Sequence, residues 1–175
     1  LATPYFPKGS IFVVIVDPGV GSQRRILWAK TKSHGFLAPD NGVLSWIDDK
    51  IVECRSVRNE KYFVKPVSST FHGRDIFAPV AAALWKGVSP KTLGPRIHDR
   101  LQAPFPSIKR ARSGLIGAII AVDSFGNAVT SLPSSELPPR ARIKHRGREL
   151  GTLKTHYAEI PRGGRAAVAG SAGLV

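Results

Sequence analysis

The sequence predicts an α/β domain with a mainly parallel sheet, followed by a smaller domain made of β-strands. Residues 11–16 form an unbroken apolar run, which is typical of a strand buried on both faces of a parallel sheet. Residues 74–85 carry apolar side chains at helical spacing. Beyond residue 113, short apolar segments alternate with Gly and Pro, as in all-β domains. We therefore expect an α/β domain over residues 1–110 and a β domain over residues 111–175.

The remaining elements follow from local composition. In the first domain, further strands are predicted at residues 26–29, 36–38, 51–57 and 62–67. The turn-forming sequence Pro39-Asp40-Asn41-Gly42 ends the second of these, and Pro79 is expected to kink the helix or shift its start. A Pro-rich linker is predicted from about residue 88. In the second domain, strands are predicted at residues 115–122, 128–132, 141–144, 151–153 and 166–169.

Composition indicates an ordinary globular protein. Of the 175 residues, 42% are hydrophobic and 22% are charged, which excludes disordered and fibrous classes. No apolar run approaches the roughly 20 residues that a membrane-spanning helix needs. The single cysteine, Cys54, excludes an intrachain disulfide and favours the cytoplasm. The chain begins with Leu and contains no Met, so we expect it to be a fragment of a longer protein.

The formal net charge of +14 raises the alternative of a nucleic-acid-binding module. Most of the 26 basic residues are dispersed, and only residues 109–112 and 140–148 form basic clusters. Neither cluster contains the interleaved aromatic residues on which bases stack. The pattern therefore favours a solvated basic surface over a nucleic-acid groove.

Two polar clusters are not explained by apolar packing. Asp17 follows the first apolar run, and a Gly-rich turn separates it by seven residues from Arg24. His72 lies where a loop joins the predicted helix. A carboxylate, a guanidinium and an imidazole can together bind, orient and polarise one water molecule. The alternative interpretation is a surface Asp–Arg pair and a histidine at a helix start.

Other motifs do not support a cofactor or metal site. Arg24 occupies the third glycine position of a dinucleotide-binding fingerprint that would begin at Gly19, and no P-loop sequence is present. The five histidines lack metal-ligand spacing, and no cysteine pair supports zinc. We therefore predict neither a metal nor a cofactor. Asp40 and Asn41 are interpreted as turn formers, although a polar turn at a strand end could face a ligand.

With these residues in view, the chain resembles the S-adenosylmethionine (SAM) hydroxide adenosyltransferases. These are adenosine-forming hydrolases related to the fluorinating and chlorinating adenosyl enzymes. The resemblance runs through nearly the whole chain and rests on seven motifs in order. They lie at residues 6–10, 16–25, 38–42, 69–79, 123–127, 157–161 and 170–171.

The resemblance implies displacement by water or hydroxide at the ribose C5′ carbon of SAM, giving adenosine and methionine. It places the family's Asp–Arg–His triad on Asp17, Arg24 and His72. It assigns further substrate contacts to Phe71, Asp123, Phe125, Asn127, Tyr157 and Ser171. It also implies a barrel-like C-terminal domain and a homotrimer whose sites lie between the N-terminal domain of one subunit and the C-terminal domain of its neighbour. SAM is then the substrate, with no additional cofactor.

The resemblance leaves two further expectations. The family's first strand, whose Asp-bearing turn holds the ribose hydroxyls, and its final strands lie outside this sequence. Halogenation is the nearest alternative activity. The halogenating relatives replace the triad and place a hydroxyl-bearing residue for the halide, whereas this chain has Gly73 and Val20 at the corresponding positions. These residues favour water over halide.

Overall fold

The computed structural model describes residues 3–104, 106–171 and 173–175. The chain divides into two compact units, Leu1–Phe105 and Pro106–Val175, which are called the N-terminal unit and the C-terminal unit below. The division falls within the Pro-rich connection.

The sheet of the N-terminal unit is mixed. It contains four strands in the order β1-β3-β2-β4, which are β1 (Ile11–Val13), β2 (Ile26–Lys30), β3 (Gly35–Pro39) and β4 (Glu53–Ser56). β1 pairs parallel to β3, whereas β2 pairs antiparallel to both β3 and β4. The prediction of a mainly parallel sheet is therefore not confirmed. The reason is local: a tight turn closed by the Thr31 N–H to the His34 carbonyl joins β2 to β3, and strands joined this closely must be antiparallel.

The first apolar run differs from its prediction. Only Ile11–Val13 form strand β1, and Val16 is 65% exposed. The prediction that this run is buried on both faces is wrong, because Ile11 and Phe12 are only partly buried and Val13 is exposed. β1 is the edge strand of the described sheet, with β3 as its neighbour. Burial on both faces occurs instead in β3, where every residue is buried.

The predicted helix is present, and it packs on one face of the sheet. A π-helical turn, Gly73–Phe77, leads directly into helix α1 (Ala78–Trp85), and Pro79 lies in the first turn of α1, where a missing N–H is tolerated. The predicted strand at residues 62–67 is wrong. The 3₁₀ turn Glu60–Tyr62 ends there, and Pro66 cannot donate to a sheet. The apolar character of this segment reflects packing, because Tyr62, Phe63 and Val67 contact the core.

Core side chains alternate between the two faces of the sheet. Trp28 and Leu37 pack with Phe77 and Val80 of the helical segment on one face. On the other face a second cluster contains Leu27, Ala29, Phe36, Ala38, Leu44, Ile47 and Cys54. This alternation is the period of two expected along β-strands.

The C-terminal unit consists of short strands and turns in the residues that the structure describes. Its strands are β5 (Lys109–Ala111), β6 (Gly114–Ile116), β7 (Ile119–Val122), β8 (Ala128–Thr130), β9 (Arg142–His145), β10 (Arg148–Lys154) and β11 (Ala167–Val168). β5–β6, β7–β8 and β9–β10 pair antiparallel, and β10–β11 pair parallel. The predicted strand at residues 115–122 is divided near Gly117, where a Cβ atom would lie 2.7 Å from the Leu132 side chain. An all-β composition is thus observed, while closure into a barrel stays a prediction.

Across residues 3–104, 106–171 and 173–175, no helix has the length and apolar character required to cross a membrane.

Candidate active site

Three strands bring their ends to one edge of the N-terminal sheet. Because β1 and β3 are parallel, their carboxyl ends lie at the same edge, and because β2 is antiparallel to β3, its amino end lies there too. Asp17 follows β1, and Arg24 lies two residues before the start of β2. Polar residues from separate parts of the chain therefore converge at this edge even though the sheet is mixed.

Arg24 binds both Asp17 and His72. The Arg24 Nε lies 2.9 Å from each Asp17 carboxylate oxygen, and Arg24 Nη2 also contacts Asp17 Oδ2. The same Nη2 lies 2.9 Å from His72 Nδ1. The side chains of Arg24 and Asp17 are 9% and 4% exposed, so the ion pair is largely removed from water. The structure thus brings together all three residues singled out as the reacting centre.

The arginine contact fixes the protonation pattern of His72. Guanidinium groups only donate hydrogen bonds, so His72 Nδ1 must accept from Arg24 and the imidazole proton lies on Nε2. Burial, followed by the charge of Arg24, lowers the pKa of His72, while the charges of Asp17 and Asp75 oppose this shift more weakly. At neutral pH His72 is therefore an uncharged imidazole whose Nε2–H remains a donor.

The loop before the helix is held against the Asp17 turn by a close backbone approach. Gly21 has φ +79°, and a Cβ atom there would lie 2.3 Å from the Ser69 carbonyl oxygen. Only glycine fits both this backbone conformation and this distance. The contact joins the turn that carries Asp17 to the loop that carries Phe71 and His72.

Asp75 anchors the same loop and was not predicted. Its buried carboxylate accepts hydrogen bonds from Ser68 N at 2.8 Å and from Arg74 Nε at 2.6 Å. The Arg74 hydrogen bond, followed by that of Ser68, lowers the pKa of Asp75. The Arg74 guanidinium also lies 5.1 Å from the centre of the half-exposed Phe71 ring. An acid within the apolar pattern of residues 74–85 is the sequence signal that could have identified it.

Asp40 and Asn41 do more than form a turn. Asp40 is buried and binds Arg25, and the Asn41 side-chain amide donates to the Val16 carbonyl at 2.8 Å. Both side chains thus contact residues adjacent in sequence to the Asp17–Arg24 pair.

The other predicted site residues belong to the C-terminal unit. Asp123 accepts hydrogen bonds from Phe125 N at 2.9 Å and Asn127 N at 2.8 Å, and Asn127 Nδ2 lies 2.9 Å from Asp123 Oδ2. These contacts, led by the Asn127 side chain, lower the pKa of Asp123. Phe125 is 89% exposed in the same loop. The three residues therefore form one ordered loop between β7 and β8.

Tyr157 and Ser171 occupy two further exposed turns of that unit. Tyr157 begins the 3₁₀ turn Tyr157–Glu159, and Glu159 Oε1 accepts from Thr155 N at 2.9 Å, which ties the turn to the residue that follows β10. Ser171 lies in the turn after β11.

The described residues contain no group of three or more His, Cys, Asp or Glu side chains arranged to hold a metal ion. Cys54 is buried in the core, and burial raises the pKa of its thiol, as expected for a packing residue.

Comparison with known proteins identifies the family. Residues 1–94 match the SAM hydroxide adenosyltransferase N-terminal domain, and residues 117–175 match the C-terminal domain of the same family. The chain belongs to the SAM hydroxide adenosyltransferase family. The relatives of this chain include proteins named (R)-S-adenosyl-L-methionine hydrolase. The one from Thermus thermophilus is 36% identical over 99% of this chain and 69% of its own length. The one from Salinispora arenicola is 36% identical over 98% of this chain and 67% of its own length.

Two solved structures share the fold of this chain. An uncharacterized conserved protein from Thermotoga maritima matches with a TM-score of 0.86 at 32% identity, covering 99% of this chain and 70% of its own. A conserved hypothetical protein from Thermus thermophilus matches with a TM-score of 0.76 at 30% identity, covering 99% of this chain and 67% of its own.

Proposed function

We propose that this protein hydrolyses S-adenosyl-L-methionine to adenosine and L-methionine. The observation that carries the proposal is the Asp17–Arg24–His72 cluster, hydrogen-bonded at one sheet edge in a chain of this family. The curated relatives named (R)-S-adenosyl-L-methionine hydrolase support the substrate. Their names specify one sulfonium epimer, and we extend that preference to this protein.

The reaction is a direct displacement at carbon. A water oxygen attacks the ribose C5′ carbon, the C5′–S bond breaks, and its electron pair stays on sulfur as the neutral thioether of methionine. One water proton is released, so the positive charge of the sulfonium leaves as H⁺. Because the sulfonium is already an activated leaving group, the protein must chiefly orient a partly desolvated oxygen nucleophile.

The three residues divide this task according to their hydrogen bonds. The Nε2–H of neutral His72 donates to the water oxygen and orients a lone pair towards C5′. Asp17, the anionic member, accepts the water proton. Arg24 holds Asp17 and His72 in register and stabilises the hydroxide character that develops on the oxygen. His72 is a donor in this scheme because its Nδ1 lone pair is already bound to Arg24.

Substrate contacts complete the proposal. Phe71 offers the ring face opposite Arg74 to the adenosyl group. Asp123 pairs with the substrate ammonium, because the carboxylate oxygens can accept hydrogen bonds from its three N–H groups. Phe125, Asn127, Tyr157 and Ser171 line the remaining pocket. The N-terminal unit of one subunit and a barrel-like C-terminal unit of its neighbour form each site in a homotrimer. The enzyme acts in the cytoplasm with SAM as its substrate, and it requires neither a metal nor a cofactor.

Incubation of the full-length protein with each sulfonium epimer of SAM tests this function. We expect adenosine and methionine from the (R) epimer in the presence of a chelator, with H₂¹⁸O delivering its oxygen to C5′. Parallel reactions with chloride and fluoride test halogenation, which the absence of a hydroxyl at Gly73 and Val20 disfavours. Persistence of SAM, unlabelled adenosine, or a halogenated product would contradict the proposal.

A further inference from the structure

We infer that the Asp40–Asn41 pair at the end of β3 positions Asp17 and Arg24 for catalysis by holding the residue next to each. The assignment of Asp17 and Arg24 as catalytic residues rests on the proposed function, whereas the contacts of Asp40 and Asn41 are independent of it. Both residues act through the backbone or side chain of a neighbour, so they are positioning residues.

Asn41 holds the residue that precedes Asp17. Its Nδ2 donates to the Val16 carbonyl at 2.8 Å, while its Oδ1 accepts from Val43 N at 3.1 Å. Val16 is 65% exposed, so packing restrains it weakly. The parallel pairing of β1 with β3 continues to the bond from Val14 N to the Leu37 carbonyl, and Asn41 attaches the chain again two residues later. The Asn41 amide thereby fixes where the backbone enters Asp17.

Asp40 holds the residue that follows Arg24. Its backbone N–H donates to the Arg25 carbonyl at 2.9 Å, and its Oδ2 accepts from Arg25 Nε at 2.7 Å. Its Oδ1 accepts from Leu101 N at 2.8 Å, so the buried carboxylate is hydrogen-bonded on both oxygens. Arg25 is thus held through both its main chain and its side chain. Consecutive arginines bind different acids, since Arg24 binds Asp17 and Arg25 binds Asp40.

The two attachments have a shared consequence. Asp17 and Arg24 lie on the segments leading out of β1 and into β2, and adjacent residues at the end of β3 clamp both segments. Reactions that depend on alignment lose about a hundredfold in rate when a group moves by roughly 1 Å. Loss of either clamp is therefore expected to lower kcat more than it changes KM, because neither clamp belongs to the proposed substrate contacts.

Asn59 provides a matched control for Asn41. Its Nδ2 donates to the Thr92 carbonyl at 2.8 Å and its Oδ1 accepts from Lys61 N at 3.1 Å, the same pattern at the same distances. Replacing Asn by Asp keeps the turn acceptor and removes the donor to the carbonyl. Asn41→Asp and Asn59→Asp therefore lose the same bond and gain the same charge, and Asn41→Ala with Asn59→Ala gives a charge-neutral pair.

The decisive measurement needs no turnover. In the unliganded full-length protein, NMR follows solvent exchange of the Arg24 Nε–H proton and the titration of His72. We expect Asn41→Asp and Asn41→Ala to speed this exchange by about tenfold or more, and Asn59 variants to leave it within about twofold. Loosening of the cluster should also weaken the interactions that set the pKa of His72. Burial and Arg24, which lower this pKa, outweigh Asp17 and Asp75, which raise it, so we expect Asn41→Ala to raise the pKa of His72.

Kinetics provide the second measurement. We expect Asn41→Ala to lower kcat by about ten- to a hundredfold with KM within about threefold. Asp40→Asn should behave similarly, while Asp99→Asn, which alters the exposed partner of the same arginine, should have a smaller effect. If folded Asn41 variants show unchanged exchange of the Arg24 Nε–H proton and an unchanged kcat, the inference is overturned, while the proposed SAM hydrolysis is unaffected. Faster Arg24 exchange in a protein that hydrolyses no SAM would support the positioning contacts and refute the proposed function.

Discussion

At the scale of single residues, Arg24 is the centre of the candidate site. One guanidinium binds a carboxylate through Nε and Nη2 and an imidazole through the same Nη2. The planar fork matters because a point charge cannot direct donors at two different acceptors in fixed directions. Because Arg24 is also largely buried, removing it leaves the Asp17 charge without its partner.

Substitution of Arg24 tests its part in catalysis. We expect Arg24→Ala to reduce kcat by about two to four orders of magnitude, as for loss of a key electrostatic donor. Arg24→Lys should recover only part, since lysine restores the charge but not the fork. Arg58→Ala is a suitable control because Arg58 Nε donates at 3.3 Å to Ser56 rather than to the site. Undiminished turnover in Arg24→Ala would exclude the role proposed for this arginine.

The protonation of His72 predicts an acid limit for turnover. Its pKa is lowered by burial and then by Arg24, so the neutral form persists below the ordinary value of about 6.5. We expect activity to be constant through neutral pH and to fall with a midpoint below 6.5, as protonation of Nδ1 breaks the Arg24 contact. A pH–rate profile, compared with NMR titration of His72, measures this. An acid limb centred above about pH 7 would contradict it.

The lowered pKa of His72 also makes the free energy of unfolding depend on pH. The unfolded state, whose histidine has the higher pKa, binds the extra proton first as pH falls. The free energy of unfolding should therefore decrease as pH falls below about 6.5, and level off below the folded-state pKa. In His72→Gln this part of the pH dependence should disappear.

At the scale of elements, the approach of Gly21 to Ser69 determines whether the two site loops meet. Gly21 and Gly9 both have positive φ, +79° and +88°, but a Cβ on Gly9 would have nothing within 4 Å. Either alanine costs roughly 1–2 kcal/mol for the left-handed backbone. We expect Gly21→Ala to lower the free energy of unfolding by about 1–3 kcal/mol more, because the loops must separate.

Denaturant unfolding of Gly21→Ala and Gly9→Ala measures that difference. Turnover should fall in Gly21→Ala and stay near wild type in Gly9→Ala, since only the former moves His72 away from Asp17. Equal destabilisation of the two variants would show that the close approach does not constrain the loops.

The turn carrying Tyr157 has its own pH dependence. Hydrogen bonds from Thr155, first its hydroxyl and then its N–H, lower the pKa of Glu159 to about 2. The stability that this carboxylate adds to the turn is therefore complete above its unfolded-state pKa of about 4.5 and is lost as pH falls towards 2. We expect the amide of Thr155 to lose protection from exchange across that range. In Glu159→Gln the amide should be less protected at neutral pH and show no such transition.

The elements also show how far local sequence predicts this fold. Residues 26–29 and 36–38 form strands and residues 74–85 form a helical segment, because their apolar spacing matches the burial that each element provides. The predictions of a fully buried strand at residues 11–16 and of a strand at residues 62–67 were wrong. Apolar side chains can also pack beside a sheet or belong to its edge strand. Strand direction depended on the turn at residues 31–34, whose hydrogen bonds composition does not reveal.

The candidate site shows the same division. Asp17, Arg24 and His72 were singled out as polar residues without a packing explanation, and the family resemblance then assigned them to one triad. The contacts of Asp75, Asp40 and Asn41 were not predicted. Each of these side chains accepts from or donates to a backbone group that only the fold brings near, namely Ser68 N, Leu101 N and the Val16 carbonyl. The types of polar residue in the sequence therefore indicate candidate catalytic groups, whereas the residues that position those groups can be recognised only from the tertiary structure.

At the scale of the whole molecule, the proposed trimer predicts complementation between defective chains. If each site combines an N-terminal unit with the C-terminal unit of a neighbour, Asp17→Ala and Asp123→Ala inactivate different halves of one site. Co-expression should then regenerate some intact sites in mixed trimers, giving activity well above either parent. Co-assembled trimers as inactive as both parents would mean that each site lies within one chain.

The spacing of the three site residues along the chain also has an entropic meaning. The Asp17–Arg24 contact closes a loop of seven residues, whereas the Arg24–His72 contact spans 48. Loop-closure entropy makes the longer connection costlier by about 1.7 kcal/mol, from (3/2)RT ln(48/7). In a largely unfolded chain, we therefore expect the Asp17–Arg24 contact to persist under conditions in which the Arg24–His72 contact does not. The same connectivity implies that, during folding, the imidazole is the last of the three groups to arrive.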